Sequence, residues 1–180
     1  MTAKECIEGR RSIRKFLEKP VERSVLQDIV ATASYAPSWK NTQIVRYIVV
    51  DDPVLKNKIA TDCTTLYPAN ADRILSAPAI VVVTALKNRC GFERDGSYST
   101  HRGDGWQMFD TGIASEAFCL SAYEHGLGTV ILGLFDDDKV MNLLSIPEDR
   151  EVITMIPIGY PAEAPVAPKR KAVDELLSFI

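Results

Sequence analysis

Residues 106–124 constrain the fold more than any other stretch of this chain. Small and apolar side chains recur there at spacings of three and four, with Phe109, Ile113, Ala117 and Leu120 in one row and Ala114, Phe118 and Ser121 in the next. A helix lying on a protein surface needs one inward stripe, whereas two adjoining rows make a face too wide for that. Such a helix is either the central helix of a core or part of a subunit interface. Gly126 follows as its C-terminal cap.

The rest of the chain supplies layers for that helix. Val25, Leu26, Ile29, Val30 and Ala33 share one helical face, and Ala36-Pro37 ends that helix because proline disfavours helical backbone before it. Tyr47 to Val50 reads as a buried strand, and Asp52-Pro53 opens a helix that turns Leu55, Ile59 and Ala60 inward. Ala79 to Thr84 is β-branched and too short for a helix, so it reads as a central strand. Thr129 to Leu132 and Val152 to Ile158 give two further strands, with a helix from Asp136 to Leu144 between them. Residues 88–105 are polar, glycine-rich and without period, as in a long mobile loop or lid. The tail, with five prolines from Pro147 to Pro168, runs extended over a surface before a short final helix. No repeat or linker divides the 180 residues, so one α/β or α+β domain with one sheet between helices is expected.

A net charge of -3 argues against a nucleic-acid or anionic-membrane binder. The positive charge is nevertheless clustered, as Arg10, Arg11, Arg14 and Lys15 near one end and Lys169, Arg170 and Lys171 near the other. Two compact basic clusters in an acidic protein point to a small anionic ligand. Cys6, Cys63, Cys90 and Cys119 form no C-x-x-C pair, and with only His101 and His125 beside them a zinc cluster is not expected. No signal segment or bilayer-length apolar run occurs, so a cytoplasmic protein with reduced thiols is the expectation.

Three stretches carry chemistry. Arg10-Arg11-Ser12-Ile13-Arg14 offers bidentate guanidinium forks and a hydroxyl, a set able to grip one phosphate, though a solvated basic stretch would look the same. Pro37-Ser38-Trp39-Lys40-Asn41-Thr42-Gln43 lies between a helix and a strand. Its polar side chains suit a heterocycle edge and Trp39 suits stacking, while an ordinary polar connection is the alternative. Leu127-Gly128-Thr129-Val130-Ile131-Leu132-Gly133 places glycine beside a strand, where main chain approaches a flat ligand closely. Its glycine spacing does not fit a dinucleotide fingerprint.

Taken in order, these pieces resemble the nitroreductase family. Arg10 to Phe16 is similar to its opening R-R-S-x-R-x-F, and Ala36 to Gln43 to its A-P-S-x-x-N-x-Q segment. Glu124-His-Gly-Leu-Gly128 with Leu132-Gly133 resembles its G-L-G and strand-end glycine. Pro157-Ile-Gly-Tyr-Pro161 followed by Pro168-Lys-Arg-Lys171 resembles its closing elements. The resemblance implies an α+β fold, a mixed and largely antiparallel sheet flanked by helices, in an intertwined homodimer with FMN at the interface. It implies that Arg10, Arg11, Ser12 and Arg14 hold the FMN phosphate and ribityl chain, joined by Lys169 or Arg170. Pro37, Ser38 and Asn41 would face the flavin, Asn70 and Arg73 would touch its ribityl or pyrimidine side, and the main chain of Ile131, Leu132 and Gly133 would lie beside its reactive nitrogen. Ile44-Val45 replaces the family's frequent P-W or P-H, which reshapes the pocket floor.

The activity so implied is ping-pong hydride transfer from NAD(P)H through FMN to a small acceptor of the nitroaromatic, quinone or enone class, with no protein nucleophile. Trp39 and Phe109 are the residues expected to line the acceptor pocket, with Trp106 beside them, although packing of the long helix explains Trp106 and Phe109 equally well. Two alternatives keep the fold: an atypical flavin reaction, and an FMN-binding or storage protein without fast nicotinamide turnover. Asp136-Asp137-Asp138 reads as a helix cap rather than a cation site, His125 as a helix C-terminal residue, and Cys90 with His101 as an unfixed pair rather than a nucleophile.

Overall fold

The computed structural model describes residues 1–65 and 67–180. It contains six α-helices and one four-stranded sheet: α1 Ala3–Gly9, α2 Arg23–Ala33, β1 Val45–Val50, α3 Pro53–Asp62, α4 Ala69–Ser76, β2 Ala79–Leu86, α5 Gly105–Glu124, β3 Gly128–Thr129, α6 Asp137–Leu143 and β4 Arg150–Gly159. The strand order is β1-β2-β4-β3 and every strand pair is antiparallel. One parallel bridge, Ser12 to Thr129, adds the N-terminal segment beside β3 and makes the pairing mixed.

The alternation of β2 builds two cores. Ile80 and Val82 face one side, where they meet Ile59, Ile74 and Val140 from α3, α4 and α6. Ala79, Val81 and Val83 face the other, against Ile29 of α2 and Phe118 and Ala122 of α5. Helices on both faces explain why β2 reads as an unbroken apolar run. The helix ends follow local chemistry. Asp52 caps α3 by accepting the Leu55 N–H at 2.7 Å, and Asp136 caps α6 by accepting that of Lys139 at 3.0 Å. Gly126, with φ of 74°, ends α5 in the left-handed region that glycine tolerates, and His125 Nδ1 lies 2.9 Å from the Ser121 carbonyl.

Three expectations need correcting. The strand after Gly128 is shorter than its β-branched run suggests. Val130 donates to the Pro157 carbonyl, but proline has no N–H to return, so the ladder breaks there and resumes at Leu132, which bridges Met155. The segments forming α1 and α4 were not expected as helices: α1 is short and held by a Thr2–Glu5 capping box, and α4 follows Pro68 directly. The loop 88–105 is anchored, with Cys90, Gly91 and Gly103 buried and a Phe92–Tyr98 bridge across it. The long helix α5 is a core helix on one side, with Ala114, Phe118 and Cys119 buried, while Phe109 is exposed and Ile113, Ala117 and Leu120 are half-buried. Among the described residues no helix is long and apolar enough to cross a membrane.

Candidate functional site

After α1 the chain runs extended along the edge of the sheet. Ile13 N–H donates to the Thr129 carbonyl at 2.9 Å, Phe16 N–H to Ser76 Oγ at 3.1 Å, and Leu17 N–H to the Tyr160 carbonyl at 2.9 Å. Ile13 and Phe16 are thereby buried, which leaves Arg10, Arg11, Ser12 and Arg14 at least partly exposed. Gly128 is needed opposite Ile13: a Cβ there would lie 2.6 Å from Ile13 Cγ1. The same segment also ties down the tail. Ala162 N–H donates to the Lys15 carbonyl at 2.9 Å, and Glu163 Oε1 accepts the Arg14 N–H at 2.6 Å and the Lys15 N–H at 3.2 Å.

The tail then returns to Arg10. Arg10, Arg11 and Arg170 line one cleft of about 410 Å³ together with Ile7, Glu8, Glu116, Ala167 and Pro168. Arg10 Nε lies 3.3 Å from Glu116 Oε1, and Arg11 donates to the carbonyls of Glu8 at 2.6 Å and Arg10 at 2.7 Å. The Arg14 guanidinium turns to the Ser12 carbonyl at 3.2 Å, and Ser12, Arg14 and Lys169 are not among the lining residues. Three guanidiniums from opposite ends of the chain around one cleft suit a phosphate dianion, and the two carboxylates beside them limit how strongly it is attracted.

Beyond Gly128 the chain offers main chain to the same edge. Leu132 is buried with its N–H and carbonyl both engaged by Met155, at 2.9 and 3.2 Å, and its carbonyl also accepts the Thr154 hydroxyl at 2.8 Å. Ile131 and Gly133 point outward, and nothing lies within 4 Å of a Cβ placed on Gly133. Asn70 is buried beneath this turn: it donates to the Leu134 carbonyl at 2.8 Å and accepts from Arg73 at 2.5 Å, while Arg73 lies over the Tyr67 ring.

The loop 37–43 adopts left-handed backbone at Lys40, Asn41 and Gln43, which non-glycine residues hold only under constraint. Ser38 supplies much of it, accepting the Asn41 N–H with its carbonyl at 3.0 Å and the Gln43 N–H with its hydroxyl at 3.1 Å. Trp39 N–H donates to Asp110 Oδ2 at 2.8 Å, and its ring packs on Trp106 with centroids 4.8 Å apart. Phe109 meets Trp106 edge-on at 5.6 Å, so Trp39, Trp106 and Phe109 form one aromatic row. Lys40 pairs with Glu93 at 2.8 Å, joining this loop to residues 88–105. Cys90 does not pair with His101; its thiol donates to Asp110 Oδ2 at 3.0 Å. Burial, then the hydrogen bond and charge of Asp110, push the Cys90 thiol up to about 12, so it is no nucleophile at neutral pH. Pro37 and Ser38 open onto a separate groove of about 840 Å³ along α2 and β1.

Comparison with known proteins decides the family. A family model described as the nitroreductase family matches residues 7–73 and 66–160. The chain belongs to the nitroreductase family of oxidoreductases. A protein of Methanothermobacter thermautotrophicus described as a putative NADH dehydrogenase/NAD(P)H nitroreductase is 31% identical to it, over 92% of this chain and 80% of the relative. A nitroreductase family protein from Clostridium novyi superposes with a TM-score of 0.77 at 32% identity, covering 89% of this chain and 87% of the other. A putative nitroreductase from Exiguobacterium sibiricum, solved in complex with FMN, shares the fold with a TM-score of 0.83 at 19% identity, covering 100% and 98% of the two chains.

Within this nitroreductase the residues singled out in the sequence fall into separate places: Arg10, Arg11 and Arg170 in the basic cleft, Ser12 and Arg14 on the extended segment that follows it, Asn70 and Arg73 beneath the turn at 131–133, and the loop 37–43 with Phe109 on the α5 side. The Ser12–Thr129 bridge joins the extended segment to the strand that leads into the turn, and no residue of the loop 37–43 lines the cleft. Trp106, weighed with Phe109 as pocket lining against plain packing of the long helix, stands in the aromatic row, whereas sequence reasoning missed Glu8 and Glu116 in the cleft, and Asp110. The last was visible as a carboxylate four and eight residues before the buried Ala114 and Phe118, on the helix's inward face.

Proposed function

We propose that this nitroreductase binds FMN and uses NAD(P)H to reduce a small acceptor of the nitroaromatic, quinone or enone class by ping-pong turnover, as a homodimer. The observation that carries the reading is the meeting of Arg10 and Arg11 with Arg170 in one cleft, 160 positions apart in sequence from first to last. That donor set fits the FMN phosphate, since guanidinium forks match a dianion and the cleft stays open to solvent on one side. Ser12 and Arg14, next along the same extended segment, would follow the ribityl chain, and Lys169, beside Arg170 in sequence, would add charge. FMN, when bound, supplies the hydride relay that no protein side chain provides.

The chain's own residues then bind, orient and exclude water. The outward Ile131 and Gly133 offer main chain to the ring, whereas Leu132 holds that turn on β4 and Asn70, with Arg73, holds it through Leu134. Positive charge and N–H donors near the ring favour an anionic reduced cofactor. Pro37, Ser38 and Asn41 lie away from the basic cleft, which accords with their serving the second subunit's flavin. Trp39 and Phe109, bridged by Trp106, form the wall against which the nicotinamide and then the acceptor stack.

The test is the visible spectrum of the purified protein under anaerobic conditions, before and after NADPH or NADH. A flavin band that bleaches with either donor supports the reductase reading and identifies the donor. A band that persists favours the storage protein or an atypical reaction. No band after reconstitution with FMN sinks the cofactor assignment.

A further inference from the structure

Asp110 has no part in the reaction just described, yet two loops end on it. The residue is only 3% exposed, and a single oxygen, Oδ2, accepts both the Trp39 N–H at 2.8 Å and the Cys90 thiol at 3.0 Å. No lysine or arginine pairs with it among the described residues. A carboxylate taken from water and given two loop donors in place of a cation is costly to leave without them.

The loop 37–43 needs an outside anchor. Its internal bonds, from Asn41 and Gln43 to Ser38 and from Thr42 to Trp39, close it on itself but do not orient it. The Lys40–Glu93 pair and the bond that the Arg46 guanidinium donates to the Gln43 carbonyl at 2.7 Å reach outside the loop, but both are solvent-exposed, and exposed contacts hold weakly. The Trp39–Trp106 contact is not directional enough to select left-handed backbone at three residues. The Asp110 bond is buried, directional, and made to the main chain at the loop's first turn.

We propose that Asp110 is the positioning residue of the acceptor wall: by accepting from Trp39 and Cys90 together, it sets the 37–43 loop and the base of the 88–105 loop as one unit. Its effect on turnover rests on the flavin reading above; its effect on the loops does not. Trp39 is held by its own amide to α5, so its ring meets Trp106 and Phe109 in a fixed row. With the anchor gone, the amide of Trp39 and the thiol of Cys90 both lose their acceptor, and the left-handed residues relax.

Three variants test this: Asp110→Ala, Asp110→Asn and Cys90→Ala. The first readout is near-ultraviolet circular dichroism of the flavin-stripped protein, which needs no turnover and whose long-wavelength edge, beyond the tyrosine and phenylalanine bands, comes from Trp39 and Trp106, the chain's 2 tryptophans. The second is steady-state kinetics, separated into KM and kcat per bound flavin. Asp110→Ala is expected to lose most of the tryptophan band and to raise KM for nicotinamide and acceptor about tenfold, the loss of one charge-assisted hydrogen bond, with kcat changed less than about threefold. Asp110→Asn keeps an oxygen acceptor and should restore both. An Asp110→Ala protein with an unchanged tryptophan band, or one that loses only melting temperature and flavin content at constant KM, overturns the proposal. If Asp110→Ala does not fold, Cys90→Ala decides: a partial loss of the band supports the shared anchor, and a wild-type band refutes it. A wild-type flavoprotein that never bleaches sinks the reductase reading alone, and one that takes up no FMN sinks the flavin reading alone, since the tryptophan comparison still tests Asp110.

Discussion

Arg10 and Arg14 are four residues apart on an extended segment and have different surroundings, which sets different expectations for the two. Arg10 lines the cleft with Arg170, while the Arg14 guanidinium rests on the Ser12 carbonyl outside it. Arg10→Ala should therefore weaken FMN binding by about tenfold or more, Arg14→Ala should weaken it less, and neither should move the melting temperature by more than a degree or two. Equilibrium dialysis of FMN checks this, and equal or absent losses would remove the phosphate site from the cleft. Buried acids make a second residue-scale expectation. Burial holds Cys90 and Tyr47 protonated up to about 12 and Cys119 up to about 11, from ordinary values of 9.0 for the thiols and 10.0 for the phenol. The unfolded chain sheds these protons first as pH rises, so the stability they lend is complete below about pH 9 and drains away toward pH 11 to 12. The urea midpoint should fall steadily across that window, and Tyr47→Phe should lessen the slope. A midpoint that is flat to pH 11 would contradict it.

At the scale of elements, the joint between the 10–17 segment and β3 links packing to binding. Ile13 is β-branched and stiff, and a methyl group at Gly128 would meet three of its carbons within 2.9 Å. Gly128→Ala should cost about 1–3 kcal/mol and lower FMN affinity, because relief comes only by moving the strand that displays Arg10 and Ser12. Adding Ile13→Ala should make the double variant less unstable than the sum of the singles; strict additivity in thermal melts would deny the contact. This joint also shows how much the sequence disclosed. The buried strand at 79–84, the wide face of α5, the caps at Asp52 and Asp136 and the motif pieces were legible because periodicity and capping act over a few residues. The meeting of the two basic clusters was legible only through the family resemblance. The Ser12–Thr129 bridge, the break at Pro157 and the Asp110 anchor were not, since each depends on which residue of a distant element stands opposite. Helices α1 and α4 were missed because they are 7 and 8 residues long, too short for a period to declare itself; α6 is as short but was marked by its opening run of aspartates.

At the scale of the molecule, one chain leaves too much apolar surface uncovered. Val173, Leu176, Leu177, Phe179 and Ile180 at the end of the tail are exposed, with Phe179 at 91%. On the other side, β1 is an edge strand whose free side borders the groove of about 840 Å³ lined by Leu26, Val30 and Tyr47. An unpaired strand edge beside an apolar groove is a surface that proteins cover, and an apolar tail standing free of its own chain is a means of covering it. The homodimer proposed above satisfies both at once, and it would also bring Pro37, Ser38 and Asn41 of one chain toward the cleft of the other. A chain ending at Lys171 should keep its fold, because residues 172–180 are exposed throughout, but should sediment as a monomer and lose FMN. Sedimentation velocity of both forms with absorbance at the flavin band measures assembly and cofactor together. A truncated chain that remains dimeric and yellow would show that other surfaces, such as the half-open row Phe109, Ile113 and Leu120 of α5, make the contact. A full-length chain that is monomeric yet retains FMN would sink the dimer itself, and with it the assignment of the 37–43 loop to a neighbour's flavin.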